Sequence, residues 1–481
     1  MSDIEHVSKQ WGRTVAWLQP GLSVKRWMGL LVVGAFLASV GTALVLDLHP
    51  IASTIRFLEA IAVHVPSATS GSILIIIGLL FLYIGGRSIS TTFMGLIDAG
   101  GPNSDLFEAI YRQKKLSRGP RIVAIGGGTG LSTLLRGIKR YTSNITAVVT
   151  VGDDGGSSGR LRVEQGIIPP GDIRNCIAAL SDEERMITEL FQYRFKSGQG
   201  LEGHSFGNLF LTAMCHVTGD MISAIKESST VLNIRGRVLP STLDNVKLAA
   251  EMEDGTVVEG ESLIPQAKGK IMALRCTPSC PKALPEVIEA IREADLILLG
   301  PGSLYTSVIP NLLIREIAIA VSQSNAPKLY IANIMTQPGE TDGFAVGDHV
   351  KTILDHAMVP NVVNAVLVNN HLPDALVRKY ADAGYKPVPL DTEHCQALGV
   401  QVVQQPLVDR DEHELIRHSP MQLAAGVMKW FKAEEQKKAP VNQMIQQSSS
   451  MVNQVVGSKA MPLDESGLPT TSEDPAEVGK V

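Results

Sequence analysis

Apolar runs alternate with glycine-rich polar turns from residue 121 onwards, and this alternation predicts the fold. The apolar segment Ile122–Ile125 runs into the glycine turn Gly126–Gly130, after which leucine and isoleucine recur at the spacing of one helix face. A strand, a tight turn and a helix are predicted in that order. A second apolar segment, Ile145–Val151, leads directly into a turn that carries Asp153 and Asp154. In a parallel sheet both turns leave the carboxyl edge, where open α/β sheets bind their ligands.

The same pattern returns later in the chain. Apolar segments over Ala294–Leu299, Lys328–Ile334 and Ala365–Asn369 are each followed by a polar turn. Strands that alternate with helices in this way predict an α/β fold with a doubly wound parallel sheet. Between them, Val238–Cys276 consists of short alternating segments around an Asp254-Gly255 turn, which predicts a small β-rich insertion.

Two apolar runs near the N-terminus predict a transmembrane helix hairpin. Trp27–Leu46 and Ser67–Ile84 contain no charged residue, and about twenty residues is the length that spans a bilayer. Basic residues flank the pair on both sides, whereas the loop between has only Arg56, so the positive-inside rule places both ends in the cytoplasm. The alternative, a signal peptide followed by a buried helix, explains the second run less well. We therefore expect a two-pass membrane protein with a large cytoplasmic C-terminal domain.

Composition narrows the functional classes. The chain has 481 residues, and its formal net charge of -5 gives no reason to expect nucleic-acid binding. Its five cysteines include no CxxC pair, which favours reduced thiols in a cytosolic domain over a zinc site. Beyond Phe431 the composition is typical of a disordered tail. The predicted organisation is an N-terminal cytoplasmic segment over 1–26, the hairpin over 27–86, a linker over 87–120, a ligand-binding α/β domain over 121–431 and the tail over 432–481.

The turn Gly126–Gly130 is the first candidate for chemistry. Glycine lets backbone N–H groups approach an anion closely, and the N-terminus of the following helix adds roughly half a positive charge. Phosphate is the expected ligand. The alternative is that this tight turn has only a structural role, packing the helix against the strand. The dinucleotide motif GxGxxG would need glycine at Leu131, and the Gly-Lys-Ser/Thr of a P-loop is absent from this turn. Neither an NAD enzyme nor a P-loop NTPase is supported.

Polar residues after the other segments complete the candidate site. Asp153 and Asp154 either accept sugar hydroxyls, hold magnesium, or form an Asp-Gly turn with solvated side chains. Asp172 is a candidate for ligand binding, and it is equally well placed to cap the N-terminus of its own helix. His204 and Asn208 lie four residues apart, on one face at the start of a helix. Tyr305 either stacks on a flat ring of the ligand or packs in the core. The predicted ligand-binding residues are Gly127, Gly128, Thr129, Gly130, Asp153, Asp154, Ser157, Arg160, Asp172, Asn175, His204, Asn208, Gly302, Ser303, Tyr305 and Thr306.

Six loops, taken together, resemble a known family. Between Arg121 and about Phe431 they read, in order, GGGTGLSTLLRG, TVGDDGGSSGRLR, PPGDIRNC, HSFGNL, GPGSLYTSVIPNLL and NIMTQPGETDGF. This series resembles the gluconeogenesis factor family, the YvcK-type proteins of the CofD-like superfamily. The resemblance implies a Rossmann-like fold, binding of a UDP-sugar such as UDP-N-acetylglucosamine, and a role that links carbon metabolism to cell-envelope synthesis, morphogenesis and cell shape. The hairpin is not part of the usual soluble family pattern.

Pattern and resemblance agree on a nucleoside-diphosphate ligand. The diphosphate is expected against the backbone of Gly127–Gly130, Gly302 and Ser303, with Arg160 as its countercharge. The candidates for reading the base or the sugar are Asn175, His204 and Asn208.

Two functions stay open. In the first, the protein is a sensor that binds a UDP-sugar without turnover and signals to an unidentified cell-envelope or regulatory protein. In the second, it is a magnesium-dependent transferase of the 2-phospho-L-lactate transferase type that uses Asp153 and Asp154. Spacing identifies no nucleophile with an adjacent base, although phosphoryl-type transfer needs only positioning and charge stabilisation. The resemblance favours the sensor, and a homo-oligomer is compatible with either function.

Overall fold

The computed structural model divides the chain into two compact units, Met1–Gly119 and Pro120–Val481, and each is considered by itself. The residues that the structure describes are 24–45, 71–73, 75–85, 87, 113–182, 184–267, 269–372, 384–408 and 417–437.

A seven-stranded sheet forms the centre of the larger unit. Its strand order is β10-β9-β8-β7-β1-β2-β3, and every neighbouring pair is parallel. All residues of β1, β2, β7 and β8 are buried, which explains why these strands read as continuous apolar runs. The predicted α/β fold with a parallel sheet is confirmed. Within the described ranges the strands are β1 Ile122–Gly126, β2 Ile145–Val149, β3 Arg237–Pro240, β4 Lys247–Met252, β5 Val257–Glu259, β6 Ile271–Thr277, β7 Leu296–Leu299, β8 Lys328–Ile331, β9 Ala365–Asn369 and β10 Gln401–Gln405.

Helices connect the strands, and β1 passes into a helix through a single residue, Gly127. Besides a short helix over 113–117, the α-helices of the described residues are α1 Val24–Val45, α2 Gly71–Gly85, α3 Gly128–Ile138, α4 Gly156–Gln165, α5 Gly171–Leu180, α6 Glu184–Gln192, α7 Phe206–Thr218, α8 Met221–Val231, α9 Pro285–Glu293, α10 Ile309–Leu313, α11 Arg315–Gln323, α12 Val346–Ala357, α13 Thr392–Ala397 and α14 over 420–437.

The β-rich insertion is smaller than predicted. Strands β4, β5 and β6 form a separate antiparallel sheet, in which the turn at Gly255 has a φ of +82°. Strand β3, however, pairs in parallel with β2 at the edge of the main sheet. Its last three residues are buried, so this short apolar run belongs to the main core and the insertion begins only at β4.

Two helix boundaries have clear physical causes. Helix α6 begins only at Glu184, since Ser181 after α5 forms a β-bridge with Ile234. The tail predicted to be disordered from Lys432 is helical over its first six residues, since α14 continues to residue 437. Trp430 and Phe431 are buried and anchor this helix, whose charged last turns continue into solvent. Residues 438–481 lie outside the described part of the chain.

The smaller unit contains two apolar helices in close contact. A Cβ atom built on Gly34 would lie 2.9 Å from the carbonyl oxygen of Gly78, and one on Gly41 would lie 2.9 Å from that of Gly71, so the helix backbones touch. In the described part of the chain, no single helix is both long and apolar enough to cross a bilayer, and the apolar stretch of α1 is limited to Gly29–Thr42. The structure therefore does not support the predicted transmembrane hairpin or the two-pass topology.

Two consecutive helical segments, Leu304–Leu313 and Arg315–Gln323, are long and apolar enough to cross a bilayer only when they are counted as one helix. The chain turns by 82° at the break between them. Leu304, Ile309 and Ile317 are fully buried within the larger unit, so this pair belongs to the core of the α/β domain.

Candidate functional site

A cavity of about 850 Å³ lies at the carboxyl ends of β1, β2, β7 and β8. The sheet order reverses direction between β1 and β7, and ligands of open α/β sheets bind at such switch points. A smaller cavity of about 370 Å³ shares Asp153, Glu261 and Tyr385 with it. The larger cavity is lined by Gly127, Gly128, Thr129, Gly130, Thr133, Asp153, Asp172, Glu261, Pro301, Gly302, Ser303, Thr306, Ser307, Asn333, Ile334, Met335, Thr336, Gln337, Tyr385, Arg417 and His418.

Two glycine turns meet at this cavity. A Cβ atom on Gly130 would lie only 2.4 Å from the carbonyl oxygen of Pro301, so only glycine permits the contact. Gly302, in the second turn, has a φ of +156°. The first turn opens α3, an 11-residue helix whose first N–H groups have no acceptor within the helix. Seven predicted residues of the two turns line the cavity: Gly127, Gly128, Thr129, Gly130, Gly302, Ser303 and Thr306.

Asp172 does not cap its own helix. Helix α5 has no side-chain N-cap, and the carboxylate of Asp172 instead accepts a hydrogen bond from the backbone N–H of Gly128. Burial and the nearby charge of Asp153 raise the pKa of Asp172 to about 6, and the Gly128 bond and Arg174 only partly oppose this. A protein carboxylate thus already occupies part of the helix N-terminus.

The adjacent carboxylates of Asp153 and Asp154 diverge. Asp153 lines the cavity, where its Oδ1 accepts a hydrogen bond of 2.9 Å from Gly155 N–H. Asp154 is exposed, and its Oδ1 accepts a hydrogen bond of 2.9 Å from the N–H of Ser262, which ties the turn to the insertion. Among the described residues, no three His, Cys, Asp or Glu side chains are arranged to hold a metal ion. The Asp153/Asp154 pair is therefore divided between the cavity and the surface.

Two further carboxylates face the cavities, and the sequence patterns did not reveal them. Glu261 comes from the insertion, and Glu340 follows β8. Burial, with the charges of Asp153, Asp172, Asp154 and Glu340, raises the pKa of Glu261 well above its usual range. Burial raises that of Glu340 to about 7, against hydrogen bonds from the Tyr305 N–H and the Ser303 hydroxyl. The Oε2 atoms of both glutamates are buried without a hydrogen-bond partner in the described structure.

The opposite end of the cavity carries a different set of side chains. Asn333 Nδ2 donates to Gln337 Oε1 at 3.2 Å, and Gln337 Nε2 donates to Ser303 Oγ at 2.7 Å. The ring of Tyr385 lines both cavities. Arg417 and His418 come from the segment just before α14. Asn333 and Gln337 belong to the NIMTQPGETDGF loop, but no sequence pattern connects this loop to the other three residues.

Ser157, His204 and Asn208 come together, but away from the cavity lining. Ser157 Oγ lies 3.0 Å from His204 Nδ1 and accepts a hydrogen bond of 3.0 Å from Asn208 Nδ2. A serine next to a histidine is the arrangement of an activated nucleophile, which spacing alone did not reveal. All three residues are at most 3% exposed, so Ser157 is enclosed. The trio holds the first turn of α4 against α7.

The remaining predicted residues also lie outside the lining. Arg160 Nη2 donates to the carbonyl oxygen of Glu202 at 2.8 Å, and Asn175 Oδ1 accepts from Arg174 Nη2 at 2.9 Å. Tyr305 is 2% exposed and its ring packs edge-on against Phe344 and His356. Arg417 and Tyr385, which were not among the predicted residues, line the cavity.

The larger unit is an α/β domain of Rossmann-like architecture, with a cavity at the switch point of its parallel sheet. Residues 122–408 match the family model described as 2-phospho-L-lactate transferase CofD. The chain belongs to this family, within its branch of YvcK-type gluconeogenesis factors. The resemblance seen in the six loops is confirmed.

Relatives cover the chain to different extents. A protein named gluconeogenesis factor from Bacillus subtilis is 51% identical over 307 residues, which are 64% of this chain and 96% of that relative. A relative from Nostoc sp. is 50% identical over 436 residues, covering 89% of this chain and 94% of its own length. That alignment is longer than the unit from Pro120 onward, so it extends into the N-terminal unit. The crystal structure of a UPF0052 family protein from Bacillus halodurans superposes with a TM-score of 0.62 at 48% identity, covering 65% of this chain and 99% of that one.

Proposed function

We propose that the cavity binds a UDP-sugar of the UDP-N-acetylglucosamine kind. The observation that carries this proposal is the meeting of two glycine turns at the N-terminus of α3, inside a cavity of about 850 Å³. Exposed backbone N–H groups at a helix start favour a diphosphate. The volume is in the range of cavities that enclose a ligand of this size. Side chains on either side of the turns provide polar contacts for the sugar and the base.

The proposed role is regulatory. Relatives that share about half of the sequence are named gluconeogenesis factors, a name that describes an effect on metabolism. A regulator that binds a precursor of the cell envelope would link carbon metabolism to envelope synthesis, morphogenesis and cell shape through a protein partner. The enclosed position of the Ser157–His204 pair agrees with binding without covalent chemistry.

Magnesium fits the proposal as a partner of the ligand. Mg²⁺ is usually held by one or two carboxylates together with phosphate oxygens and water. Asp153 and Asp172 line the cavity together with the glycine turns, and the charge of Asp153 already raises the pKa of Asp172. A cation between them and the diphosphate would neutralise this repulsion. We expect Mg²⁺ to strengthen binding of the diphosphate.

Calorimetric titration of the full-length protein with UDP-N-acetylglucosamine tests the proposal. We expect saturable binding that strengthens with Mg²⁺, with intact ligand recovered afterwards. N-acetylglucosamine alone, which lacks the diphosphate, is the matched control and should bind far more weakly. Failure of every UDP-sugar to bind would refute the proposal.

The family model named for a transferase supports a second candidate function, a magnesium-dependent transferase of the 2-phospho-L-lactate transferase type. The same titration separates the two functions. Cleavage of the diphosphate in the recovered ligand, or product formation with a deazaflavin-like acceptor, would favour the transferase.

We also propose that the N-terminal unit attaches the protein to a membrane. Gly34 and Gly78 are buried between α1 and α2, whereas Val32, Phe36 and Ile76 project outward with exposed fractions of 68%, 59% and 65%. Small residues between helices and apolar ones outside are typical of helices packed in lipid. The full chain should stay in the membrane fraction after a carbonate wash, whereas a variant without residues 1–119 should not. Recovery of the full chain in the soluble fraction would contradict this.

A further inference from the structure

Helices α6 and α7 pack against each other at the surface of the α/β domain. The N–H of Phe206, the first residue of α7, donates to the carbonyl oxygen of Tyr193, just after α6, at 2.8 Å. The ring of Phe191 lies between the two helices, with its centroid 6.2 Å from that of Phe206 and 5.5 Å from that of Phe210. The end of α6 is therefore fixed beside the first half of α7.

Helix α7 is apolar on its outer side as well as on its inner side. The inner side packs in the core through Leu211, which is fully buried. On the outer side, Phe206, Phe210, Ala213 and Val217 recur every three or four residues, so they form one stripe along the helix. Ala213 and Val217 are exposed, and both phenylalanines are partly exposed. A helix that is hydrophobic all round is normally buried on all sides.

Helix α6 adds a second exposed stripe. Met186, Leu190 and Tyr193 are also three or four residues apart, and with Val217 their exposed fractions lie between 44% and 80%. These four side chains expose on the order of 500 Å² of apolar surface, the size of patch that marks an interaction site. A polar rim around such a patch brings it to the roughly 800 Å² per partner of a stable interface. We call the two stripes together the α6–α7 face.

Opposite charges lie at the two ends of the α6–α7 face. Arg194 is exposed beside the start of α7, where it forms a β-bridge with Ser205 and its Nη1 donates to the carbonyl oxygen of Gly203 at 2.9 Å. Asp220 is exposed just beyond the end of α7. Ala213 lies eight residues after Ser205 and seven before Asp220, so each charge is about 11 Å from it along the helix axis. A face with this charge pattern is complementary to itself when it is turned by 180° about Ala213.

We propose that the α6–α7 face binds a second copy of this chain, with the two α7 helices antiparallel and crossing at Ala213. Such a two-fold contact uses the same patch on both copies. The small side chain at the crossing point lets the helices approach closely, and the larger apolar side chains on either side cover one another. Arg194 of each copy faces Asp220 of the other, so the dimer has two ion pairs at its rim.

The charge pattern is the reason that a second copy is the occupant. A partner protein with one sign of charge would match only one end of the face, whereas a second copy matches both. This inference does not depend on the ligand of the cavity.

The oligomeric state of the full-length protein tests this inference. Its mass is measured by light scattering in a mild detergent over a range of protein concentrations, for the wild type and for Val217→Glu. Val231→Glu is the matched control, because Val231 is also an exposed valine in the last turn of a helix, α8, with an exposed fraction of 69%. Thermal unfolding shows whether each variant is folded.

We expect the wild type to be a dimer. Val217→Glu should weaken association by at least about ten-fold, since the change places two carboxylates in the apolar contact. Val231→Glu should dimerise as the wild type does.

The charges give a second test, which addresses the antiparallel arrangement. Arg194→Glu and Asp220→Lys should each weaken association by roughly five-fold, and the double variant should restore it, because each ion pair forms again with reversed sign. Asp220 also caps α8 by accepting a hydrogen bond from the Ser223 N–H, so Asp220→Lys lowers stability as well. Loss of this cap would not restore association in the double variant.

A monomeric wild type at every concentration would overturn the inference. So would a dimer that Val217→Glu leaves intact, since association would then use another surface. Failure of the double variant to recover association would overturn the antiparallel crossing at Ala213.

Discussion

Gly130→Ala is expected to weaken binding of UDP-N-acetylglucosamine strongly and to destabilise the α/β domain. The added Cβ would lie 2.4 Å from the carbonyl oxygen and 2.7 Å from the carbonyl carbon of Pro301, and 2.9 Å from Gly302 Cα. All three are backbone atoms, so no side chain can move aside and the two turns must separate. Overpacking of this kind costs about 1–3 kcal/mol of unfolding free energy. Displacement of both turns from the diphosphate should weaken binding by on the order of a hundred-fold, equivalent to about 3 kcal/mol.

Gly126→Ala is the matched control for this variant. Its Cβ would lie 3.6 Å from Leu131 Cβ and 3.7 Å from Gly300 Cα, which are ordinary contacts. Denaturant unfolding and calorimetric titration of both variants measure the two effects. We expect Gly126→Ala to match the wild type in binding. Equal losses in both variants, or wild-type binding by Gly130→Ala, would show that contact between the turns does not shape the site.

Glu340→Gln is expected to stabilise the protein at pH 8. Glu340 is 6% exposed, its Oε2 has no hydrogen-bond partner among the described residues, and burial raises its pKa to about 7. Ionisation of this carboxyl is therefore unfavourable in the folded state. A rise from 4.5 to about 7 corresponds to roughly 3 kcal/mol, of which glutamine should recover a large part above pH 7.

The sign of the pH dependence follows from the protons bound. Between about pH 4.5 and pH 7 the folded protein keeps the proton of Glu340, whereas the unfolded chain releases it. The unfolding free energy of the wild type therefore falls as the pH rises through this window and levels off above it. The same holds for Asp172 from about pH 4 to pH 6, since its pKa is also raised.

Urea unfolding at pH 5 and pH 8 measures this difference. Glu340→Gln should gain stability at pH 8 and little at pH 5, while Glu259→Gln, at an exposed position on β5, should change neither value. An equal change at both pH values would show that Glu340 is not protonated preferentially in the folded state. Stabilisation by loss of a cavity carboxylate would also indicate that the residue is kept for binding at a cost in stability.

The sequence by itself determined the parallel sheet, its glycine turns and the family. Buried parallel strands must be apolar along their whole length, and Ile122–Gly126 and Ile145–Val149 show this directly. Glycine at Gly302 has a local cause, because its φ of +156° is a backbone conformation that favours glycine. Glycine at Gly130 is visible in the sequence, but its cause is the close approach of Pro301, which only the tertiary structure shows. Requirements that act between neighbouring residues produce recognisable sequence patterns, so they can be identified without a structure.

Only the tertiary structure decided which polar side chains face the cavity. Glu261 lies on an insertion, Tyr385 follows an undescribed segment, and Arg417 and His418 precede the last helix, so each reaches the cavity through long-range packing. Conversely, His204 and Tyr305 lie within the recognised motifs but point into other contacts. The direction of a side chain depends on the elements packed around it, which the spacing of residues along the chain does not specify.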